Sequence, residues 1–165
     1  MTLIIAYVFI FILAATPFLE VVGVIPIGAA AGLPVIPVTI FSFLGNIATI
    51  LLLILLMDQV KAWMQKRREK KGRAPSQKRA ERAERLWKKF GLPGVALLSP
   101  FLIGSHLGAV LAMGFGGTKQ QIAIWMTISV FSWSVLVGIG SYYGIDFLYN
   151  QTGREGFLVD LLEVD

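Results

Sequence analysis

Residues Thr16–Pro37 read TPFLEVVGVIPIGAAAGLPVIP, and this stretch decides the fold. It holds four of the chain's seven prolines, Pro17, Pro26, Pro34 and Pro37, with Gly23, Gly28 and Gly32 between them. Proline removes a backbone donor and clashes with the preceding turn, so a straight helix is excluded here. The surroundings are nevertheless apolar. From Met1 to Met57 the only ionisable groups besides Tyr7 and the amino terminus belong to Glu20. An apolar run of that length belongs in a bilayer. Irregular backbone at membrane depth is tolerated only where it is buried in protein or lines a cavity.

Composition agrees. The 165 residues are 56% hydrophobic and 15% charged, against about 25% charged in a soluble domain, which excludes a typical cytosolic enzyme. The absence of cysteine removes disulfides and thiolate metal sites, and a single histidine argues against a histidine metal cluster. No cofactor is implied. Met1 to Ala15 has no Lys or Arg, so the amino-terminal segment is expected to be mature structure rather than a removable signal. We expect a single membrane domain with a first repeat at about 1–57, a basic loop at 58–89, a second repeat at about 90–149 and an acidic tail at 150–165.

Thirteen of the fifteen basic residues lie between Asp58 and Lys89, beside four acids, giving that loop a net charge of +9. Basic loops stay cytoplasmic under the positive-inside rule, which puts 58–89 inside and the acidic tail outside, in the inner (plasma) membrane of a prokaryote. No aromatic or groove-reading motif accompanies the basic run, so no nucleic-acid partner is expected.

Val38–Met57 is twenty residues, about 30 Å of helix and the thickness of the hydrocarbon core. A second span runs from about Gln120 to Tyr143, with Tyr142, Tyr143 and Tyr149 at its far end as interfacial anchors. Between the spans a helix is expected from Ser76 to Phe90, with Glu81–Arg85 and Glu84–Lys88 as i,i+4 pairs and Ala80, Ala83, Trp87 and Phe90 along one face. That stripe fits either the cytoplasmic membrane surface, where membrane lipids would be its partners, or a solvated connector.

The region 91–117 resembles 16–37 in kind: it has Pro93, Pro100 and seven glycines in an otherwise apolar run. Thr16-Pro17-Phe18-Leu19 recurs as Ser99-Pro100-Phe101-Leu102, and in each case a full span begins about twenty residues after the proline. The chain therefore reads as two copies of arm, Ser/Thr-Pro break, arm and span. Because the linking loop enters the second copy from the cytoplasmic side, the copies must be inverted. An arm of about 14 residues reaches only about 21 Å, a half-crossing. The expected fold is an all-α integral membrane protein, an inverted repeat of a re-entrant helical hairpin plus a transmembrane helix, linked by a basic cytoplasmic helix. Four kinked spans are the alternative that hydropathy leaves open.

A hydroxyl followed by proline is a helix-start signal, so Thr16-Pro17 and Ser99-Pro100 are each expected to open a half-helix whose amino-terminal dipole faces the site. Glu20 falls in the first turn of the first. A carboxylate at the bilayer centre costs about 2.5–3.5 kcal/mol, so it should face a cavity or partner, where it suits proton coupling; capping free backbone N–H groups is the structural reading. His106, after Ser105, carries the side chain that titrates nearest neutral pH. It is a candidate acid–base partner for Glu20 across the repeat interface, or a hydrogen-bonded structural residue. Ser42, Gly45, Asn46 and Thr49 share one side of the first span, a helix-packing pattern in which Asn46 is also a site candidate. Adjacent Ser105 and His106 point apart on a helix and no nucleophile motif is present, which argues against an enzyme. The candidate substrate- or proton-binding set is thus Glu20, Thr16, Pro17, Asn46, Ser99, Pro100, Ser105 and His106.

Pro17-Phe18-Leu19-Glu20, Ile25-Pro26-Ile27-Gly28, Leu44-Gly45-Asn46, Gly94, Pro100-Phe101-Leu102-Ile103-Gly104 and His106-Leu107-Gly108 resemble the prokaryotic small multidrug export family, over roughly residues 10–145. The layout is more distantly similar to the DedA superfamily, whose members have two re-entrant hairpins and are implicated in moving lipid carriers such as undecaprenyl phosphate. Glu20 before Pro26 and Gly28 matches that superfamily's acidic residue. Its second-hairpin arginines are replaced here by Ser99 and His106. The resemblance implies a small transporter with a small-molecule or lipid substrate; Glu20 makes proton coupling the expectation, and a homodimer is expected because two repeats of this size enclose little by themselves. A DedA-like lipid-carrier translocase and a non-transporting scaffold acting through the basic loop are the competing readings.

Overall fold

The computed structural model describes residues 2–59, 62, 66 and 77–152. Most of the basic loop before Gln77, and the acidic tail from residue 153, lie outside the described residues. The described chain is all helical: α1 Thr2–Ala14, α2 Glu20–Ala30, α3 Val35–Leu55, α4 Gln77–Leu102, α5 Ser105–Gly114 and α6 Lys119–Thr152.

α3 is 21 residues long and apolar throughout, enough to cross a bilayer, and so is the Lys119–Gly144 part of α6. These are the two expected spans, with boundaries moved by only a few residues. α1, α2 and α5, at 13, 11 and 10 residues, are equally apolar but too short to cross. Leu3, Ile4, Ile12, Ile36, Leu55 and Leu136 all stand exposed on these helices. Water would penalise such a surface, whereas lipid covers it at no cost.

α4 contains two segments in one run. Residues before Gly91 are polar and amphipathic, and those after it are apolar; Gly91 itself adopts φ 64° and ψ −157°, a conformation open to glycine and closed to side chains with a Cβ. The expected Glu84–Lys88 pair forms at 2.8 Å, and Lys88 holds the Glu84 carboxyl below its ordinary range. The expected Glu81–Arg85 pair does not form. Arg85 Nε instead donates to the Glu81 backbone carbonyl, one turn back, at 3.4 Å, and an exposed ion pair would gain little over that bond.

The chain divides into two compact units, residues 1–47 with 130–165, and residues 48–129. In the first, α1 packs on α2, and the opening of α3 meets the middle of α6. Gly138 lies against Thr39 and Phe131 meets Phe43 edge-on, with ring centroids 5.9 Å apart. Residue numbers rise along α3 as they fall along α6, so the two long helices are antiparallel. Tyr7 stacks on Phe41 at 5.3 Å, and Gly45 accepts the backbone of α1 at Phe11. In the second unit the apolar end of α4 packs on α5. There Lys119 Nζ joins the Asp58 carboxylate at 2.7 Å and the Leu55 carbonyl at 3.5 Å, tying the start of α6 to the end of α3.

A methyl group at Gly45 would be driven into the Phe11 carbonyl oxygen, a backbone atom that cannot turn aside. Gly23, inside α2, has open space around it. Gly45→Ala is therefore expected to lower the thermal midpoint in detergent by an amount equivalent to about 1–3 kcal/mol. Gly23→Ala should leave it unchanged or raise it, because alanine favours helix by about 0.5–1 kcal/mol. Fluorescence-detected size exclusion after heating reads both.

Candidate membrane-embedded site

Pro17 and Pro100 explain the residues before them. In an α-helix the carbonyl of residue i accepts from the N–H of residue i+4, so Pro17 withholds a donor from Leu13 and Pro100 withholds one from Ala96. Thr16 Oγ1 donates to the Leu13 carbonyl at 2.6 Å, and Ser99 Oγ donates to the Ala96 carbonyl at 3.0 Å. Each hydroxyl donates to the carbonyl that its proline leaves without its usual i+4 donor, and the Leu13 carbonyl also accepts the Thr16 backbone N–H at 3.1 Å. The two motifs therefore close the last turn of the incoming arm, and the expectation that they open the outgoing one is corrected. α2 begins three residues after Pro17, behind Leu19, and α5 begins at Ser105 behind Gly104, with no side-chain cap on either. The reason is local: an amide-free residue leaves a more urgent deficit behind it than ahead of it.

Glu20 is the first residue of α2 and is 3% exposed. Its φ of 44° makes it the one non-glycine with positive φ among the described residues. A side chain in that region costs about 1–3 kcal/mol and persists only where its surroundings enforce it. Thr16, Pro17, Glu20 and Asn46 all fall in the first unit. Asn46 is fully buried on the α3 face that also carries Ser42 and Gly45, as the spacing predicted. The Ser42 hydroxyl is buried without a hydrogen-bond partner among the described residues, and so are the hydroxyls of Thr39 and Ser129.

Ser99, Pro100, Ser105 and His106 fall in the second unit. Gly104 turns the chain at φ 91°, and Ser105 and His106 follow as the first two residues of α5, both buried. Gly108 lies so close to Ser99 that any side chain there would collide with it. His106 Nε2 shares a 3.0 Å hydrogen bond with Thr49 Oγ1, which of the two donates being set by the imidazole tautomer. This contact was not read from the sequence. Thr49 stood on the polar face of α3, but nothing local linked that face to a residue 57 positions later.

The first unit also carries an open groove of about 420 Å³ between α3 and α6, lined by Ile36, Thr39, Ile40, Val135, Gly138 and Tyr142 among others. Its lining is apolar apart from Thr39 and two tyrosines, so the titratable carboxylate and imidazole lie elsewhere. Among the described residues no cluster of metal-ligating side chains occurs.

Long apolar helices, two broken pairs of short ones, and a carboxylate and an imidazole buried at the breaks define an all-α membrane protein with interrupted helices. More narrowly, the chain belongs to the family described as "Putative small multi-drug export protein", whose sequence profile matches residues 20–136. That description is of an export protein, and with the two helices long and apolar enough to cross a bilayer it points to a membrane location. No curated protein and no solved structure matches the chain.

The hydroxyl–proline compensation has a direct test. Ser99→Ala strands the buried Ala96 carbonyl and should destabilise the protein by about 1–3 kcal/mol. Pro100→Ala restores the missing N–H, so in that background Ser99→Ala should cost much less. A double-mutant cycle on thermal midpoints in detergent measures the difference.

Proposed function

We propose that the protein is a small proton-coupled exporter of hydrophobic or cationic compounds, in the inner membrane of a prokaryote, with the 58–89 loop cytoplasmic. The observation that carries this reading is Glu20. An acidic side chain, alone in more than fifty apolar residues, is buried at a helix break and held in a strained backbone conformation. Intramembrane carboxylates are expensive and mark ion or substrate pathways. Protonation changes both its charge and its hydrogen-bonding capacity, and so can bias a strained turn between two arrangements.

The same reading takes α1–α2 and the apolar arm of α4 with α5 as two re-entrant hairpins of an inverted repeat. Three observations support it. The short helices are half-crossing in length, the hydroxyl–proline bonds are equivalent in the two hairpins, and each hairpin precedes one of two antiparallel long helices. Discontinuous helices in inverted repeats are a recurrent transporter design. His106 would serve in the second hairpin as Glu20 does in the first, with Thr16, Pro17, Ser99, Pro100 and Ser105 shaping the breaks and Asn46 lining the path. A homodimer is the proposed assembly, since one chain of this size encloses little by itself.

Reconstituted protein should drive uptake or release of a fluorescent lipophilic cation in response to an imposed pH gradient. Glu20→Gln, which keeps size and hydrogen-bonding shape, should reduce that flux to the level of empty liposomes while leaving the elution profile intact. A variant that transports as fast as the parent would remove Glu20 from the coupling path.

A further inference from the structure

We propose that the end of the amphipathic part of α4, Glu84 to Phe90, is an interfacial docking surface for anionic phospholipid headgroups. This stands independently of the transport reading. The run 77–90 carries six basic residues and two acidic ones, a local excess of positive charge. Its position follows from continuity: the helix passes through Gly91 directly into the apolar arm, so Phe90 stands where polar sequence meets membrane sequence. Glycine's positive φ at 91 turns the polar segment off the axis of the arm.

Trp87 fixes that turned segment. Its ring packs on Phe115 at 5.3 Å, just past the end of α5, so the helix is folded against the mouth of the second hairpin. Phe90 is 52% exposed, with Lys89 Nζ 5.1 Å from its ring centroid. An exposed aromatic ring beside a lysine is the arrangement of a side-chain pair that sinks its apolar part among acyl chains and keeps its charge at the phosphates.

The available cations are specific. Lys89 has no anionic partner among the described residues, and Arg85 gives only its Nε, to a backbone carbonyl. Lys88 is held by Glu84, but both are largely exposed, at 74% and 50%, so a phosphate can compete. Lys119, by contrast, is already engaged by Asp58. A soluble anion would gain from the charges alone, whereas an anionic lipid also covers Phe90 and the outer side of Trp87. Each basic residue near an anionic surface contributes about 1 kcal/mol, equivalent to about a fivefold gain in local lipid.

The test uses the full chain in nanodiscs of phosphatidylcholine containing either brominated phosphatidylglycerol or brominated phosphatidylcholine at equal mole fraction. The emission difference between the parent and Trp87→Phe isolates Trp87. Brominated phosphatidylglycerol should quench that difference signal at a mole fraction about fivefold lower or more, and Lys88→Gln with Lys89→Gln should abolish the preference while leaving the elution profile unchanged. Equal quenching by both lipids, quenching by neither, or a preference that survives in the double variant would overturn the proposal. So would a change in Trp87 emission when inorganic phosphate is added to discs without anionic lipid, since that assigns the surface to a soluble anion.

Discussion

In hydrocarbon there is no water to satisfy a stranded backbone carbonyl, and each one left unpaired costs several kcal/mol. That constraint shapes this protein at the two places where a hydroxyl precedes a proline just ahead of a chain break. Pro17 and Pro100 each remove a donor, and the side chain before each, Thr16 or Ser99, returns it from one residue away. With the carbonyl satisfied, the chain can break within an apolar run without recruiting solvent. The breaks separate α1 from α2 and the apolar arm of α4 from α5, and Glu20 and His106 stand where the helices resume.

The two breaks differ in how they resume. After Pro100 the chain turns through Gly104, for which a positive φ is unstrained, and His106 settles onto Thr49. After Pro17 the corresponding conformation falls on a glutamate. Glycine at position 20 would relieve the backbone, so the retained carboxylate is what makes the strain informative. The first break combines stored backbone energy with a titratable group, and the second combines a relaxed backbone with a hydrogen-bonded imidazole.

Much of this was legible in the sequence because the signals were local. The two spans were set by uninterrupted apolar length, the breaks by proline spacing, and the amphipathic helix by its charge pairs, so each was placed within a few residues. The Ser42, Gly45 and Asn46 face of α3 followed from helical periodicity. What the sequence did not disclose were choices between competing local bonds and contacts made at long range. Thr16 and Ser99 carry the same residue pattern whether they cap the next helix or repair the last one, and only the carbonyl deficit one turn back decides. Arg85 likewise preferred a backbone carbonyl to the carboxylate of Glu81. The Thr49–His106 bond and the glutamate's positive φ depend on tertiary packing, for which no residue pattern is diagnostic.

The depth of the first break decides whether α1 and α2 form a half-crossing hairpin. Phe18, 87% exposed in the turn between them, can carry a spin label in place of its ring, in a chain with no cysteine of its own. Relaxation by oxygen and by a water-soluble nickel complex then reports the depth of residue 18 in a bilayer. A re-entrant hairpin predicts a label near the bilayer centre, reached by oxygen and shielded from nickel. A label at headgroup depth, on the face opposite Pro34, would contradict it and make α1 and α2 two kinked spans.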